Sequence, residues 1–282
     1  MSNKYEWMTK EILQQDYKEL GNFKLIAEKY QIPRSTVERY CKIMGVKITP
    51  KLHYTCDDNL FSRNTEESFY LAGFIAADGC INQNKSSKPN YLSICLAKKD
   101  EDHLLKLKQI MKFTGPIKYN IRKLSELNDN WKDSEQCKID IYSKQMIEDL
   151  ARFDIGQRKS LIYKFPDWLM DHSLVNHFMR GYVDGDGSFY ISTENRMTKK
   201  FGMRKYSKFV FSLRGTKLFL EDFNLMLWEF ANIRSITKPA FNNGIDQITY
   251  SGNIQVAKIA SYFYRNANIF MDRKFQIVKE LI

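Results

Sequence analysis

One pattern occurs twice in this sequence, and it limits the fold more than any other feature. Phe69-Tyr70-Leu71-Ala72-Gly73-Phe74-Ile75-Ala76-Ala77-Asp78-Gly79-Cys80-Ile81 has a partner in His177-Phe178-Met179-Arg180-Gly181-Tyr182-Val183-Asp184-Gly185-Asp186-Gly187-Ser188-Phe189. The copies align without gaps, and Asp78 and Asp186 stand 108 positions apart. A duplication of this kind calls for two like halves that bury their apolar faces together.

The stretches after each copy also correspond. In the first half, Leu92, Ile94 and Leu96 alternate over residues 91–97, the period of a half-buried strand. Residues 100–111 read as a helix with Leu104, Leu107 and Met111 inward; 117–122 and 138–142 alternate again, and 145–153 read as a short helix. In the second half Phe209, Phe211 and Leu213 mark the equivalent strand, and 216–230 is a helix with Phe219, Phe223, Met226 and Phe230 inward. Residues 233–237 and 246–250 read as the later strands, and 256–264 as the short helix. Each half thus reads α-β-β-α-β-β-α. The expected fold class is α+β, with two pseudo-symmetric repeats, residues 65–170 and 171–282. Their small antiparallel sheets would be covered by helices on one face and open on the other.

The motif has its own physics. Gly73 and Ala77 are four apart, as are Gly181 and Gly185, and small residues at that spacing let two helix backbones approach closely. The two motif helices are therefore expected to pack along this seam with their C-terminal ends together. Asp78 and Asp186 come one residue later, before a helix-ending Gly. The helix dipole is negative there, so a carboxylate is poorly placed and two converging ones are worse. A bound divalent cation would relieve both problems. Oxygen ligands without His or Cys suit Mg²⁺ (or Mn²⁺) rather than zinc. Two helix-capping aspartates without metal are the bland alternative, and duplication of the whole G-x-x-x-[AG]-D-G pattern weighs against it.

Charge adds a partner. Net charge is +11 and the pI about 9.2, a balance that favours an anionic partner, nucleic acid foremost. The longest apolar run, 69–77, falls far short of a membrane span, and residues 1–10 are polar and charged, unlike a signal peptide. The five cysteines include no C-x-x-C pair, and the four histidines show no ligand spacing. A disulfide framework and a zinc site are disfavoured. A reducing compartment that holds DNA, such as the cytoplasm, is expected rather than secretion.

Residues 1–48 read as a small all-α domain. The predicted helices are 7–20, with Met8, Ile12 and Leu13 on one face and Gly21 as its stop, then 23–30, then 34–44 closed by Gly45. Residues 26–40 resemble a helix-turn-helix: Ala27 lets the helices approach, and Ile32 and Val37 plug the corner. Ser35, Thr36, Arg39 and Tyr40 would then face outward toward DNA. A three-helix bundle that touches nothing is the alternative. Residues 49–64, polar and carrying Pro50 and Asp57-Asp58, read as a linker.

Both motif copies resemble the LAGLIDADG motif of homing endonucleases, of the single-chain, two-motif type, and the resemblance covers residues 65–282. Supporting stretches are Leu96-Ala97-Lys98-Lys99-Asp100, Gly115-Pro116-Ile117, Arg158-Lys159-Ser160-Leu161 running into Lys164-Phe165-Pro166-Asp167, Arg214-Gly215-Thr216-Lys217 and Arg273-Lys274-Phe275. The resemblance implies a saddle of two sheets straddling duplex DNA, formed by one chain as a monomer with an internal pseudo-twofold. It implies catalytic acids at Asp78 and Asp186, and metal-binding carbonyls at Ala77 and Gly185. Copy one departs at Ala76, where copy two has Asp184, at a position that varies in the family. Lys159 and Lys274 hold matching places and are candidates for stabilising phosphate charge or orienting the water network, with plain surface lysines as the alternative.

The implied reaction is hydrolysis of one phosphodiester per strand with divalent metal, leaving 3′ overhangs. Outer strand faces would read the major groove through Asn82, Lys118, Arg122 and Lys138 in the first half, and Lys208, Arg214, Arg234, Gln247 and Thr249 in the second. Arg214 is matched with Ala97. Residues 195–220 hold eight Lys or Arg and no acid, as expected of a phosphate-tracking stretch. A non-cleaving DNA-binding regulator and a maturase acting on intron RNA are the other readings, and two intact acids argue against the regulator.

Overall fold

Polar side chains set the starts of the first two helices. The structure is a computed structural model that describes residues 5, 7–48, 54–82, 90–123, 125–126, 128–130, 132–198, 202–233, 237–242 and 245–282. Thr9 caps α1 (Lys10–Leu20) by accepting from the Ile12 N–H, and Gly21 ends it in the left-handed region at φ 76°. Asn22 caps α2 (Phe23–Tyr30) in the same way through Leu25, and Pro33 precedes α3 (Arg34–Ile43). Met8, Leu13, Ile26, Ala27, Val37, Tyr40, Cys41 and Val46 form the core of these helices, with Ile32 partly buried against it.

Two expectations fail in this region. Tyr40 does not face outward: it lies one helical turn from Val37, shares its buried face and meets Tyr5 edge-on. Ile12 is exposed, and Asp16 joins Met8 and Leu13 on the inner face in its place, accepting a 2.6 Å hydrogen bond from Lys29. Ser35 and Arg39 are exposed and Thr36 is half-buried.

The chain divides into two compact units, Met1–Tyr54 and Thr55–Ile282. Much of the expected linker therefore belongs to the second unit. Leu60 and Phe61 are buried in its core, and the Thr114 N–H donates to Thr55 and the Asp57 N–H to Met111.

In the second unit, α4 (Glu66–Asp78) is capped by Thr65 and carries Glu66 and Glu67 at its positive end. Residues 68–76 are all buried, so this helix runs through the core. It leads into β1 (Gly79–Asn82), β2 (Tyr91–Ala97), α5 (Glu101–Ile110), β3 (Lys118–Arg122), β4 (Ser134–Ile141), α6 (Lys144–Leu150) and α7 (Asp167–Met170). The second repeat runs α8 (Val175–Asp186), β5 (Gly187–Thr198), β6 (Gly202–Gly215), α9 (Lys217–Phe230), β7 (Ala240–Asn242), β8 (Ile245–Ser251), α10 (Asn253–Tyr264) and α11 (Asp272–Val278). The sheets have the same order, β1-β2-β4-β3 and β5-β6-β8-β7, and all their pairings are antiparallel. One continuous apolar core spans both repeats.

Two details of the second repeat differ from the sequence reading. The short edge strand is Ala240–Asn242, not 233–237; Ile233 is buried, and 234–236 lie outside the described residues. Phe230 is 46% exposed, because Leu220, Asn224 and Leu227 share the buried face of α9 with Phe219, Phe223 and Met226.

The seam between α4 and α8 explains the small residues. A Cβ added at Gly73 would lie 1.9 Å from the Phe178 carbonyl oxygen, and one at Gly181 would lie 1.9 Å from that of Tyr70. These are the same contact seen from either repeat. At Gly185 a Cβ would lie 2.4 Å from the Ala77 Cβ. Gly79 and Gly187 do end the helices, but with extended backbone (φ −81° and −84°). Space requires them, since a Cβ would come within 2.8 Å of the Ile75 carbonyl oxygen and 2.6 Å of the Val183 one.

Candidate active site and nucleic-acid interface

Asp78 and Asp186 are the last residues of α4 and α8. A Cβ placed on Gly185 would lie 3.6 Å from Asp78 Oδ2, so the first acid reaches the end of the second helix. Both acids keep solvent-accessible surface, yet protein fills most of the volume around them. That crowding raises the Asp78 carboxyl, against the pull of Lys274 and Lys159. It raises Asp186 to about 6, helped by repulsion from Asp78. The site is a pair of anions held together at two negative helix ends.

The two lysines turn toward those ends. Lys274 is buried and donates to the carbonyls of Val183 (3.0 Å), Asp184 (2.6 Å) and Gly185 (2.9 Å), so it caps α8. Burial lowers it to about 8. Lys159 is also buried and donates to the Gly79 carbonyl at 2.5 Å. The sequence offers both ammoniums for phosphate charge or for the water network around the site. The structure engages them with backbone oxygen, where they offset the helix dipoles and the acids.

Asp184, the acid that copy one lacks, is buried. It accepts from Tyr70 Oη, Tyr264 Oη and the Met271 N–H, each at 2.7 Å. Tyr70 also meets His103 Nε2 at 3.1 Å. Arg180, equally buried, donates to Glu66 (2.6 Å) and to the Ile269 and Phe263 carbonyls. Sequence reasoning missed this lock. The signal was Arg180 and Asp184 inside residues 178–184 of α8, whose other positions are core.

The open faces follow from the register. Lys118 pairs with Lys138, and Lys138 with Cys95, so they share one row of the first sheet's outer face. Arg122, opposite Ser134, and Asn82, opposite Tyr91, lie on the same face by alternation. Asp140 stands two residues from Lys138 on that face. Its Oδ2 accepts from Lys118 at 2.9 Å, and its Oδ1 lies 3.1 Å from Lys138 Nζ. Strand alternation would have placed this acid outward beside Lys138, and it was overlooked.

In the second sheet Arg214 pairs with Gln247, and Ser212 with Thr249. Arg214 donates to Gln247 (3.3 Å), which donates to Thr249 (3.1 Å), forming a connected polar row. The register corrects one match. Gly79 opposes Ile94 as Gly187 opposes Leu213, so Arg214 corresponds to Cys95, not Ala97. Lys208 lies 3.7 Å from Glu194, an acid just before the basic stretch, and Glu194 also pairs with Arg196 at 2.5 Å. Arg234 lies outside the described residues.

Among the described residues no group of three or more His, Cys, Asp or Glu is placed to hold a metal ion, and no helix is long and apolar enough to cross a membrane. The five cysteines are free thiols.

Comparison with known proteins agrees with this architecture. A family profile described as LAGLIDADG endonuclease matches residues 179–278, and one described as LAGLIDADG-like domain matches residues 65–153. The fold is similar to that of the homing endonuclease I-WcaI bound to its DNA recognition sequence. The TM-score is 0.54 at 16% identity, over 84% of this chain and 96% of that one. It is also similar to the I-LtrWI LAGLIDADG homing endonuclease bound to target DNA, with TM-score 0.52, 12% identity, and 80% and 89% of the two chains covered. Comparison with curated proteins gives no match.

Proposed function

Because the chain belongs to the LAGLIDADG endonuclease family, with one motif domain in each half, we propose that it is a site-specific, metal-dependent double-strand DNA endonuclease of the homing type. The observation that carries this reading is the convergence of Asp78 and Asp186 at the ends of α4 and α8. Repulsion between them helps raise Asp186 to about 6. Two acids held in this way make a site that a cation completes.

The donor set fits a hard divalent ion such as Mg²⁺ or Mn²⁺: the two carboxylates, with the Ala77 and Gly185 carbonyls beside them. Gly185 already accepts from Lys274, and a carbonyl oxygen has a second lone pair. A divalent ion held there supplies an activated water and charge stabilisation at the phosphate. The chain's own residues do the rest. Gly73 and Gly181 set how close the acids come. Lys274 and Lys159 hold the helix ends, which fixes where each carboxylate points. Asp78 serves one strand and Asp186 the other, giving a staggered cut with 3′ overhangs.

The outer sheet faces supply the DNA contact, through Asn82, Lys118, Arg122 and Lys138 in one half and Lys208, Arg214, Gln247 and Thr249 in the other. The net charge of +11 supplies attraction and makes binding salt-sensitive. The N-terminal helices add a second contact through Ser35, Thr36 and Arg39.

The test is incubation of the purified chain with a randomised duplex library, with Mg²⁺ or Mn²⁺ and with EDTA. Cut duplexes with 3′ overhangs, appearing only with metal, are expected. Specific binding without cutting in any divalent ion would make the chain a DNA-binding protein on a nuclease fold.

A further inference from the structure

Asp140 is out of place on a DNA-binding surface. It sits on β4, on the open face of the first sheet, where a negative charge repels phosphate. Its side chain is only 8% exposed. Lys118 and Lys138 cover it, and Ser93 lies opposite in the register. Burial alone would raise its carboxyl, but hydrogen bonds from Lys118 and Lys138 outweigh that and lower it, so it is an anion at neutral pH. An ionised carboxylate only accepts hydrogen bonds. Its Oδ1 lies 3.1 Å from Lys138 Nζ, so both carboxylate oxygens face a lysine end. When a lysine turns away, the desolvated carboxylate needs another donor in its place.

The second sheet shows that the acid is a feature of one half. By register Thr249 occupies the place of Asp140, Gln247 that of Lys138, and Ala240 that of Lys118. The second row is neutral apart from Arg214. The first row sets an anion between two cations.

We propose that Lys118, Asp140 and Lys138 form a reader of a single C·G base pair in the first half of the target site. This rests on the DNA-binding reading above. In the major groove cytosine offers only its N4 amino donor, and the paired guanine offers the O6 and N7 acceptors. Adenine has a donor too, but its N7 acceptor lies alongside and would face the carboxylate. Guanine and thymine present acceptor oxygens. Asp140 accepts from cytosine N4, and one of the lysines donates to guanine. The lysine ends are on flexible stems, and Lys118 is 56% exposed, so they can turn from Asp140 to the base. That movement uncovers the carboxylate where the N4 donor arrives.

The experiment is a binding selection from a randomised duplex library, with wild type, Asp140→Asn and Asp140→Thr, each checked by thermal unfolding. The Thr variant copies the second half. Wild type should show one first-half position where C·G is favoured at least tenfold over the other pairs. That preference should disappear in Asp140→Thr and shift toward adenine in Asp140→Asn, since Asn pairs well with adenine. Other positions should stay unchanged. A selected site with no C·G preference in the first half, or one that survives both substitutions in folded protein, overturns the reader. The readout is binding, so a chain that binds but does not cut still decides it. If wild type selects no sequence at all, the DNA-binding reading falls with it.

Discussion

Ala76 and Asp184 stand at the same letter of the duplicated motif, and so do Ala72 and Arg180. In the second copy both letters are charged, buried and fully engaged. Asp184 holds Tyr70, Tyr264 and the Met271 backbone, and Arg180 holds Glu66 and two carbonyls. In the first copy the same places are small and apolar. The copies agree where the seam and the site need agreement: Gly73 with Gly181, Ala77 with Gly185, Asp78 with Asp186, Gly79 with Gly187. They differ where one copy grips the other, since Tyr70 and Glu66 from the first repeat enter a polar lock built on the second. A single chain can divide that labour, because its halves are free to diverge wherever the pseudo-twofold contact does not bind both.

The comparison can be broken first at the seam. Gly73→Ala and Gly181→Ala each drive a Cβ into a backbone oxygen of the opposite helix. Both should cost about 4 kcal/mol or more, or prevent folding, because backbone rather than a side-chain tip must give way. Urea unfolding should rank the two alike. A tolerated alanine at one position only would show that the seam is not shared equally.

Next comes the lock. Asp184→Asn removes a buried charge that three donors share, and should cost about 3 kcal/mol. Ala76→Ser, at the matching letter, should cost about 1 kcal/mol. Equal losses would contradict the one-sided assignment.

The smallest effect concerns the acids themselves. Asp186 titrates at about 6 in the fold, above the ordinary carboxyl range of about 4. The folded state therefore binds this proton more readily than the unfolded one. The stability it contributes is fully present below about pH 4 and lost as pH rises through about 6. Asp186→Asn should remove that slope. At pH 7 without metal it should be more stable than wild type by about 1 kcal/mol, a figure reduced for solvent screening at an accessible carboxylate. Asp78→Asn should shift in the same direction. A variant less stable than wild type at pH 7 would mean that the helix ends do not disfavour the acids.

Much of this was legible in the sequence. The gapless repeat sets the two-half architecture, and the small-residue spacing marks the seam. Strand alternation over 91–97 placed Leu92, Ile94 and Leu96 inward, where they lie. What escaped depended on partners distant in sequence. Lys274 looks like a charge for phosphate until the carbonyls of Val183, Asp184 and Gly185 are seen around it. Tyr40 looks like a contact residue because its hydroxyl joins Ser35, Thr36 and Arg39 on one helix, but its helical phase matches buried Val37. Arg214 was matched to Ala97 by counting along the chain, whereas pairing across the strands matches it to Cys95. Asp140 was readable by period two and was passed over because an acid does not suggest DNA.

The central claim is that one acid serves each strand. The direct measurement is strand-resolved cleavage of a selected target, labelled on either strand, by Asp78→Asn and Asp186→Asn in Mg²⁺. Each variant should bind the target like wild type, and its double-strand cutting should fall by at least a hundredfold. The residual nicking should lie on opposite strands for the two variants. Wild-type cutting of both strands by either variant would contradict the account.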